Sequence, residues 1–131
     1  MVQWADMILG TGIDIVEVAR IAASYAEFGD RFTDRVLRPA EKAYCLTNKD
    51  PMPFLAARFA AKEAIVKAFG TGIGPELSWL DLEICRKESG APYVVLHGRG
   101  QELFVARGAR ALHISLTHTA QYGAATAILE G

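Results

Sequence analysis

The longest apolar stretch of the chain, residues 54–69 (FLAARFAAKEAIVKAF), has the pattern of a helix that is buried nearly all round. Its larger side chains form one stripe on a helical wheel and alanines cover most of the remaining surface; the stripe consists of Leu55, Phe59 and Val66. Pro53 can occupy the first helical position and Gly70 lies just past the last. We therefore expect a helix of about four turns that leads into a glycine-rich run at 70–74.

Four charged residues interrupt this helix: Arg58, Lys62, Glu63 and Lys67. Lys62 and Glu63 lie within roughly 40° of the edges of the apolar stripe, where a charge needs a partner or a ligand. One interpretation is an i,i+4 pair between Glu63 and Lys67 on a solvated edge. The other is that these side chains bind something.

Alternation of side chains over residues 7–16 (MILGTGIDIV) predicts the first strand. Gly10 and Gly12 share a face with Asp14, the only charged residue of this strand. The GTG sequence weakly matches a dinucleotide fingerprint, but no third glycine follows and the strand continues, so we discard that interpretation. Glycines in a strand instead indicate close approach by a ligand or by a second backbone.

A helical period begins at Glu17, and the helix it predicts ends at Gly29. Asp30 can cap a short helix over residues 31–37, and Pro39 can open another that reaches about residue 47.

Arginines collect in this helical block. Arg31, Arg35 and Arg38 follow one another at i, i+4 and i+7, which predicts a common face, and Arg20 precedes them in the first helix. They form either a solvated face or, since the rest of the chain is slightly acidic, a docking surface for an acidic partner.

Strand patterns dominate the second half of the chain. We expect strands at 79–86, 92–97, 111–117 and 122–130, a short helix at 101–106 and a tight turn at 118–121. Because the strands arrive as hairpins and the helices are concentrated in the first half, the pattern indicates an α+β fold with a small antiparallel sheet. We expect residues 1–131 to form a single domain, with residues 1–6 as a loosely held leader.

The composition is that of an ordinary globular domain: 131 residues, 51% hydrophobic, 22% charged and a formal net charge of −1, which gives no sign of nucleic-acid binding. The N-terminus has no basic segment followed by a long apolar one, and no run of about 18 apolar residues would span a membrane. Cys45 and Cys85 are far apart and lack metal-ligand spacing, which indicates buried free thiols in a reducing compartment. We therefore expect a cytoplasmic protein with no membrane partner.

Two carboxylates on separate elements, Asp14 and Glu63, suit Mg²⁺, a hard cation that takes one or two carboxylates and adds water and phosphate oxygens. Lys62, Lys67 and Arg58 would then neutralise phosphates, and the glycine-rich run would bring backbone N–H groups close. Together these residues indicate phosphate chemistry.

The histidines differ in their settings. His118 lies in the polar turn HTAQ and not on an apolar strand face, so it joins the candidate site residues. His113 alternates with apolar residues and is expected to be structural or exposed.

Six segments carry a resemblance to a known family: GIDIVEVARI, RFTDRVL, FLAARFAAKEAIVKAFGTGIG, LSWLDLEI, SGAPYVVL and ISLTHTAQYGAA. In order and spacing they resemble the holo-acyl-carrier-protein synthases, the small bacterial 4′-phosphopantetheinyl transferases. The resemblance covers nearly all of the chain from residue 7 onward, and the combination of GIDIV with AAKEAIVKAFGTG is specific.

This resemblance implies a 4′-phosphopantetheinyl transferase fold and activity. Such an enzyme transfers 4′-phosphopantetheine from coenzyme A to a serine of apo acyl carrier protein with Mg²⁺, releases adenosine 3′,5′-bisphosphate, and supports fatty acid biosynthesis. The resemblance also implies a homotrimer with active sites at the subunit interfaces.

Carried over position by position, the resemblance makes Asp14 and Glu63 the Mg²⁺ ligands and puts Lys67 beside the pyrophosphate. The residues implied to contact coenzyme A are Arg58, Lys62, Gly90 and Pro92 of the turn, His118 and Thr119. The residues implied to face the carrier protein are Arg20, Arg31 and Arg35. The turn often reads Gly-Lys-Pro in this family, and Ala91 stands here in place of the lysine.

The implied reaction is attack by the carrier serine on the phosphorus at the pantetheine side. Either Glu63 or a water on the metal accepts the serine proton, and the sequence leaves both open. Three other functions compete: the same chemistry on a peptide or polyketide synthase carrier domain, a non-catalytic subunit that binds coenzyme A or a nucleotide, and a Mg²⁺-dependent pyrophosphate hydrolase.

A site shared between chains is also expected, because the candidates are scattered from Asp14 to His118 in a small chain with a nearly all-apolar central helix and an alanine-rich last strand. We predict that Asp14 and His118 of one working site come from different subunits.

Overall fold

Four helices follow the first strand before residue 70, and the other four strands lie after it. The structure is a computed structural model that describes residues 7–131, so the leader predicted for residues 1–6 lies outside the described residues. The elements are β1 (Ile8–Glu17), α1 (Val18–Phe28), α2 (Asp30–Val36), α3 (Pro39–Leu46), α4 (Met52–Phe69), a 3₁₀ turn (Trp79–Asp81), β2 (Leu82–Arg86), β3 (Pro92–Leu96), α5 (Gly98–Ala106), β4 (Ala111–His118) and β5 (Tyr122–Glu130).

The strands form two antiparallel sheets. One has the order β1-β5-β4, and the other is the hairpin of β2 and β3. In the three-stranded sheet Asp14 lies opposite Ala125 of β5, and Ala125 lies opposite Leu116 of β4. This arrangement confirms the α+β class with small antiparallel sheets that the pattern predicts.

Helix α4 packs across one face of the three-stranded sheet, which we call the inner face, and contacts all three strands. Gly10, Gly12 and Gly123 on that face have no side chain between strand and helix. A Cβ on Gly10 or Gly12 would lie far inside 3.0 Å of a main-chain oxygen of α4, and one on Gly123 would lie 2.6 Å from the carbonyl carbon of Ala56. The strand glycines therefore serve the approach of a second backbone, one of the two alternatives left open by the sequence.

Helix α4 is buried on nearly all sides, as predicted. Its six alanines are at most 4% exposed, and Ile65, Val66 and Phe69 are at most 1% exposed. Both cysteines are free, as predicted; Cys45 is buried and Cys85 is half-buried. Burial raises the pKa of the Cys45 thiol to about 11, so this thiol is not reactive at neutral pH.

Two details of the predicted elements are wrong. Residues 79–81 form a 3₁₀ turn and not the start of a strand, because the Asp81 carboxylate accepts hydrogen bonds from the Ser78 N–H (2.9 Å) and hydroxyl (3.1 Å). Asp30 does not cap α2: Gly29 occupies that position, and the Asp30 carboxylate lies 3.0 Å from the Lys42 ammonium. The other predicted elements are found, with ends that differ by a few residues.

Within residues 7–131 no helix is both long enough and apolar enough to cross a membrane.

The close contact between β1 and α4 predicts a large difference between two glycine substitutions. Gly12→Ala should lower the free energy of unfolding by at least about 2 kcal/mol, because the added methyl group forces α4 away from the sheet. Gly74→Ala should change it by less than about 0.5 kcal/mol, because nothing lies within 4 Å of a Cβ at Gly74. Chemical denaturation of both variants at one protein concentration checks this, and equal losses would contradict the packing account.

Candidate functional site

The first cluster of candidate residues lies where β1 meets the second half of α4. The Lys67 ammonium donates hydrogen bonds to the Asp14 carboxylate (3.1 Å) and to the Ile13 carbonyl (2.9 Å). The i,i+4 alternative assigned this ammonium to Glu63, but its hydrogen bonds go to β1. Asp14, Glu63 and Lys67 together are called the acidic half-site below.

The electrostatics of Glu63 show that these side chains are neighbours. Its pKa is raised above the ordinary value, chiefly by burial and next by the charge of Asp14. The charges of Lys67 and Arg20 act to lower the pKa of Glu63. Arg20 of α1 therefore lies near the rim of this half-site. Two carboxylates that repel one another in a half-buried place favour a cation between them.

The donor set fits Mg²⁺. Asp14 and Glu63 offer hard carboxylate oxygens from two elements, and Mg²⁺ commonly takes one or two carboxylates with water and phosphate oxygens. Among residues 7–131 no group of three or more His, Cys, Asp or Glu side chains is placed to hold a metal ion. A metal here would depend on its substrate for part of its shell.

A second cluster surrounds the ring of Tyr44 on α3. The guanidinium carbon of Arg58 lies 4.5 Å from the Tyr44 ring centroid, and that of Arg86 lies 5.2 Å from it. Phe54 packs edge-on against Tyr44 at 6.2 Å and lies 4.6 Å from the His118 ring. These five residues are called the tyrosine pocket below.

Arg58 is the most constrained residue of the tyrosine pocket. It is only 3% exposed, and its Nε has no hydrogen-bond partner among the described residues. A buried cation with an unused N–H next to a second guanidinium makes this pocket suited to an anion.

The predicted turn and Thr119 border the tyrosine pocket. Arg86 donates a hydrogen bond to the Gly90 carbonyl at 2.9 Å, which ties the turn before Pro92 to the same guanidinium that lies on Tyr44. Thr119 follows His118 directly. Its hydroxyl accepts hydrogen bonds from the N–H groups of Gln121 (3.2 Å) and Tyr122 (3.0 Å). Arg58, Gly90 and His118 are thus brought together by contacts that the sequence does not show.

Lys62 requires a correction. The sequence assigns it to coenzyme A, but the structure places its ammonium in the core, fully buried. It donates to the Val36 carbonyl (2.7 Å), the Glu41 carboxylate (2.8 Å) and the Trp79 carbonyl (3.1 Å), and therefore has no donor left for a ligand.

The arginine row is only partly confirmed. Arg31 and Arg35 are exposed and lie one turn apart on α2. Arg38 does not continue the row, because α2 ends at Val36 and the Arg38 guanidinium turns inward to the Leu80 carbonyl at 2.7 Å. Arg20 is exposed on α1.

The two clusters lie on different sides of one chain. Arg58 and Glu63 are five residues apart on α4, which separates their directions by about 140°. Lys67 contacts β1 and Phe54 contacts β4, and these are the two edge strands of the sheet. Within one chain the two clusters therefore lie towards different edge strands of the sheet.

The outer face of the three-stranded sheet carries exposed apolar side chains. Ile13 is 68% exposed and Ile15 is 65% exposed, and Ile128 and Tyr122 on β5 belong to the same face. A strand face of this composition is typical of an interface between proteins.

Sequence reasoning missed Tyr44, Phe54 and Arg86. The only signal for Arg86 is its position at the end of an alternating strand next to the predicted turn. Tyr44 and Phe54 fit the apolar pattern of their helices, and nothing in that pattern distinguishes a pocket wall from the core.

Comparison with known proteins finds similarity over nearly the whole chain. The family model described as the 4′-phosphopantetheinyl transferase superfamily matches residues 10–127. A holo-[acyl-carrier-protein] synthase of Koribacter versatilis is 50% identical over 124 residues, which cover 95% of this chain and 99% of that protein. Another, of Chlamydia trachomatis, is 44% identical over 121 residues, which cover 92% of this chain and 98% of that protein.

Solved structures agree with the sequence relatives. The crystal structure of a holo-[acyl-carrier-protein] synthase from Neisseria meningitidis matches with a TM-score of 0.89 and 32% identity, covering 95% of this chain and 100% of that one. The Helicobacter pylori synthase in complex with coenzyme A matches with a TM-score of 0.81 and 35% identity, covering 91% of this chain and 98% of that one.

Proposed function

Because the chain belongs to the 4′-phosphopantetheinyl transferase superfamily, we propose that it transfers 4′-phosphopantetheine from coenzyme A to a serine of apo acyl carrier protein, with Mg²⁺, and releases adenosine 3′,5′-bisphosphate. The observation that carries the proposal is the acidic half-site, where two carboxylates and an ammonium converge on one place. The physiological role we propose is to supply active carrier protein for fatty acid biosynthesis.

In this mechanism Asp14 and Glu63 hold Mg²⁺, which when bound neutralises charge on the pyrophosphate. The carrier serine attacks the phosphorus on the pantetheine side, and the bond from that phosphorus to the bridging oxygen breaks. The Lys67 ammonium donates to the leaving phosphate. The serine proton goes to a base at the same place, either Glu63 or a water that the metal would hold.

The tyrosine pocket is the proposed binding site for the part of coenzyme A that is remote from the reacting phosphorus. Arg58 has an unused N–H in a buried place, and His118 and Arg86 add further donors around the same pocket. We include Gly90, which bonds to Arg86, and Pro92 and Thr119, which follow Gly90 and His118 closely in the chain, and we leave out Lys62.

We propose that the assembly is a homotrimer held by the outer face of the three-stranded sheet. In support, this face exposes Ile13 and Ile15, and the acidic half-site and the tyrosine pocket lie towards opposite edge strands. A neighbouring subunit would then bring its tyrosine pocket to the acidic half-site, and cyclic symmetry would repeat the mixed site. Free thiols at Cys45 and Cys85 are in keeping with the reducing cytoplasm, where we propose that the enzyme acts.

Replacement of either carboxylate of the acidic half-site tests the function. Asp14→Ala and Glu63→Ala should each lower the rate of transfer by at least about a hundredfold, without recovery in excess Mg²⁺, because each removes one of two hard ligands. The rate is read as the gain of one phosphopantetheine in the intact mass of apo acyl carrier protein after incubation with coenzyme A and Mg²⁺. Glu76→Ala, at an exposed loop carboxylate, is the matched control and should retain the wild-type rate.

Wild-type activity in either carboxylate variant would refute the metal assignment. Absence of any mass gain with the wild-type chain would refute the transfer itself and favour a non-catalytic subunit that binds coenzyme A or a nucleotide.

The exposed arginines of α2 and α1 are the proposed docking surface for the carrier protein. Arg31→Glu or Arg35→Glu should weaken carrier binding by about tenfold at low salt, with coenzyme A affinity unchanged, because exposed charges act on encounter and register. Arg99→Glu, an exposed position on α5, is the control and should bind normally. Carrier affinity should also fall as salt rises; affinity that does not change with salt would contradict this docking surface.

A further inference from the structure

The ion pair of Lys62 and Glu41 lies in the core with several hydrogen bonds. It belongs neither to the acidic half-site nor to the tyrosine pocket. The Lys62 ammonium is 0% exposed and the Glu41 side chain is 1% exposed. Lys62 connects α4 to the last residue of α2, to α3 and to the 3₁₀ turn through its three hydrogen bonds. The Glu41 carboxylate also accepts the N–H groups of Arg38 and Ile84, both at 2.9 Å.

Stability alone does not explain this pair. Removing two charges from water is so unfavourable that a buried ion pair is often no more stabilising than apolar residues of the same volume. A buried ion pair is better explained when it selects one arrangement of the core among several that are equally apolar.

The rotation and axial position of helix α4 need such a selecting interaction. Thirteen of the eighteen residues of α4 are buried and six of these are alanines, and the helix is apolar nearly all round. The close packing against the sheet sets the distance between the helix and the strands, but a helix that is apolar on nearly all sides has no polar face to select its rotation. A shift by one residue would turn the helix by about 100° and would misdirect Arg58 and Glu63 together.

We propose that Lys62 and Glu41 are positioning residues that fix the rotation and axial position of α4, and thereby aim Glu63 at the acidic half-site and Arg58 into the tyrosine pocket. The proposal rests on the proposed function only for what the two half-sites do. Lys62 lies one residue before Glu63 and one turn after Arg58, so a single lock on α4 acts on both.

The test is the double variant Lys62→Met with Glu41→Gln, which leaves no charge unpaired. It should unfold with a free energy within about 2 kcal/mol of wild type. Nevertheless kcat should fall and KM for coenzyme A should rise, each by about tenfold or more, because a small misplacement of catalytic groups strongly lowers the rate. Ile65→Val, at a fully buried position of the same helix, is the control: it should lose about 1 kcal/mol and keep both kinetic constants.

A spectroscopic reading reports on the packing of α4 against the 3₁₀ turn. The Trp79 ring stacks on Phe59 of α4 at a centroid distance of 4.9 Å, so rotation of α4 should change the emission of Trp79. A Trp4→Phe background leaves Trp79 as the sole tryptophan. The double variant should show a shifted emission spectrum and Ile65→Val should not.

A folded double variant with wild-type kcat, KM and Trp79 emission would overturn the proposal. If the double variant does not fold, Glu41→Asp carries the same readings, since it keeps the two charges paired but shortens the reach of the carboxylate, and unchanged kinetics and emission there would also overturn it. Because the emission is measured without substrate, an inactive wild-type chain would count against the proposed function and not against the role of this pair.

Discussion

The close approach of α4 to the three-stranded sheet is the constraint on which the rest of the structure depends. Gly10, Gly12 and Gly123 remove the side chains between the two layers, and the alanines of α4 let the helix backbone reach the strands. This packing buries nearly all of α4, so each charged residue on the helix must find a partner or lie at an edge. The positions of Arg58, Lys62, Glu63 and Lys67 follow from that requirement.

Three different outcomes for these charges explain how the chain organises its chemistry. Lys62 is satisfied internally by Glu41 and two carbonyls, and Lys67 reaches Asp14 at the edge formed by β1. Arg58 remains buried beside Tyr44, and its Nε has no hydrogen-bond partner among residues 7–131. One helix therefore serves two separate clusters, the acidic half-site and the tyrosine pocket.

Much of the fold was predictable, because the period of apolar residues reports which face is buried. The site was less so. The structure brings the predicted carboxylates Asp14 and Glu63 close together. Lys62 has a similar sequence signal but is bonded inside the core. The predictions for Arg38 and for residues 79–81 were wrong. A long-range contact sets the direction of Arg38 and local capping sets the 3₁₀ turn, and the period of apolar residues records neither. Tyr44 and Arg86 meet Arg58 only through tertiary packing.

Reassembly of two inactive variants tests most directly whether the half-sites of different chains combine. Subunits with Asp14→Ala and subunits with His118→Ala, each weak alone, are unfolded together and refolded, and mixed trimers are confirmed by native mass. The account predicts recovered transfer, because random mixing makes about one site in four wild type at both positions. Mixed trimers no more active than the average of the two parents would show that Asp14 and His118 belong to the same chain's site, and would contradict the shared arrangement.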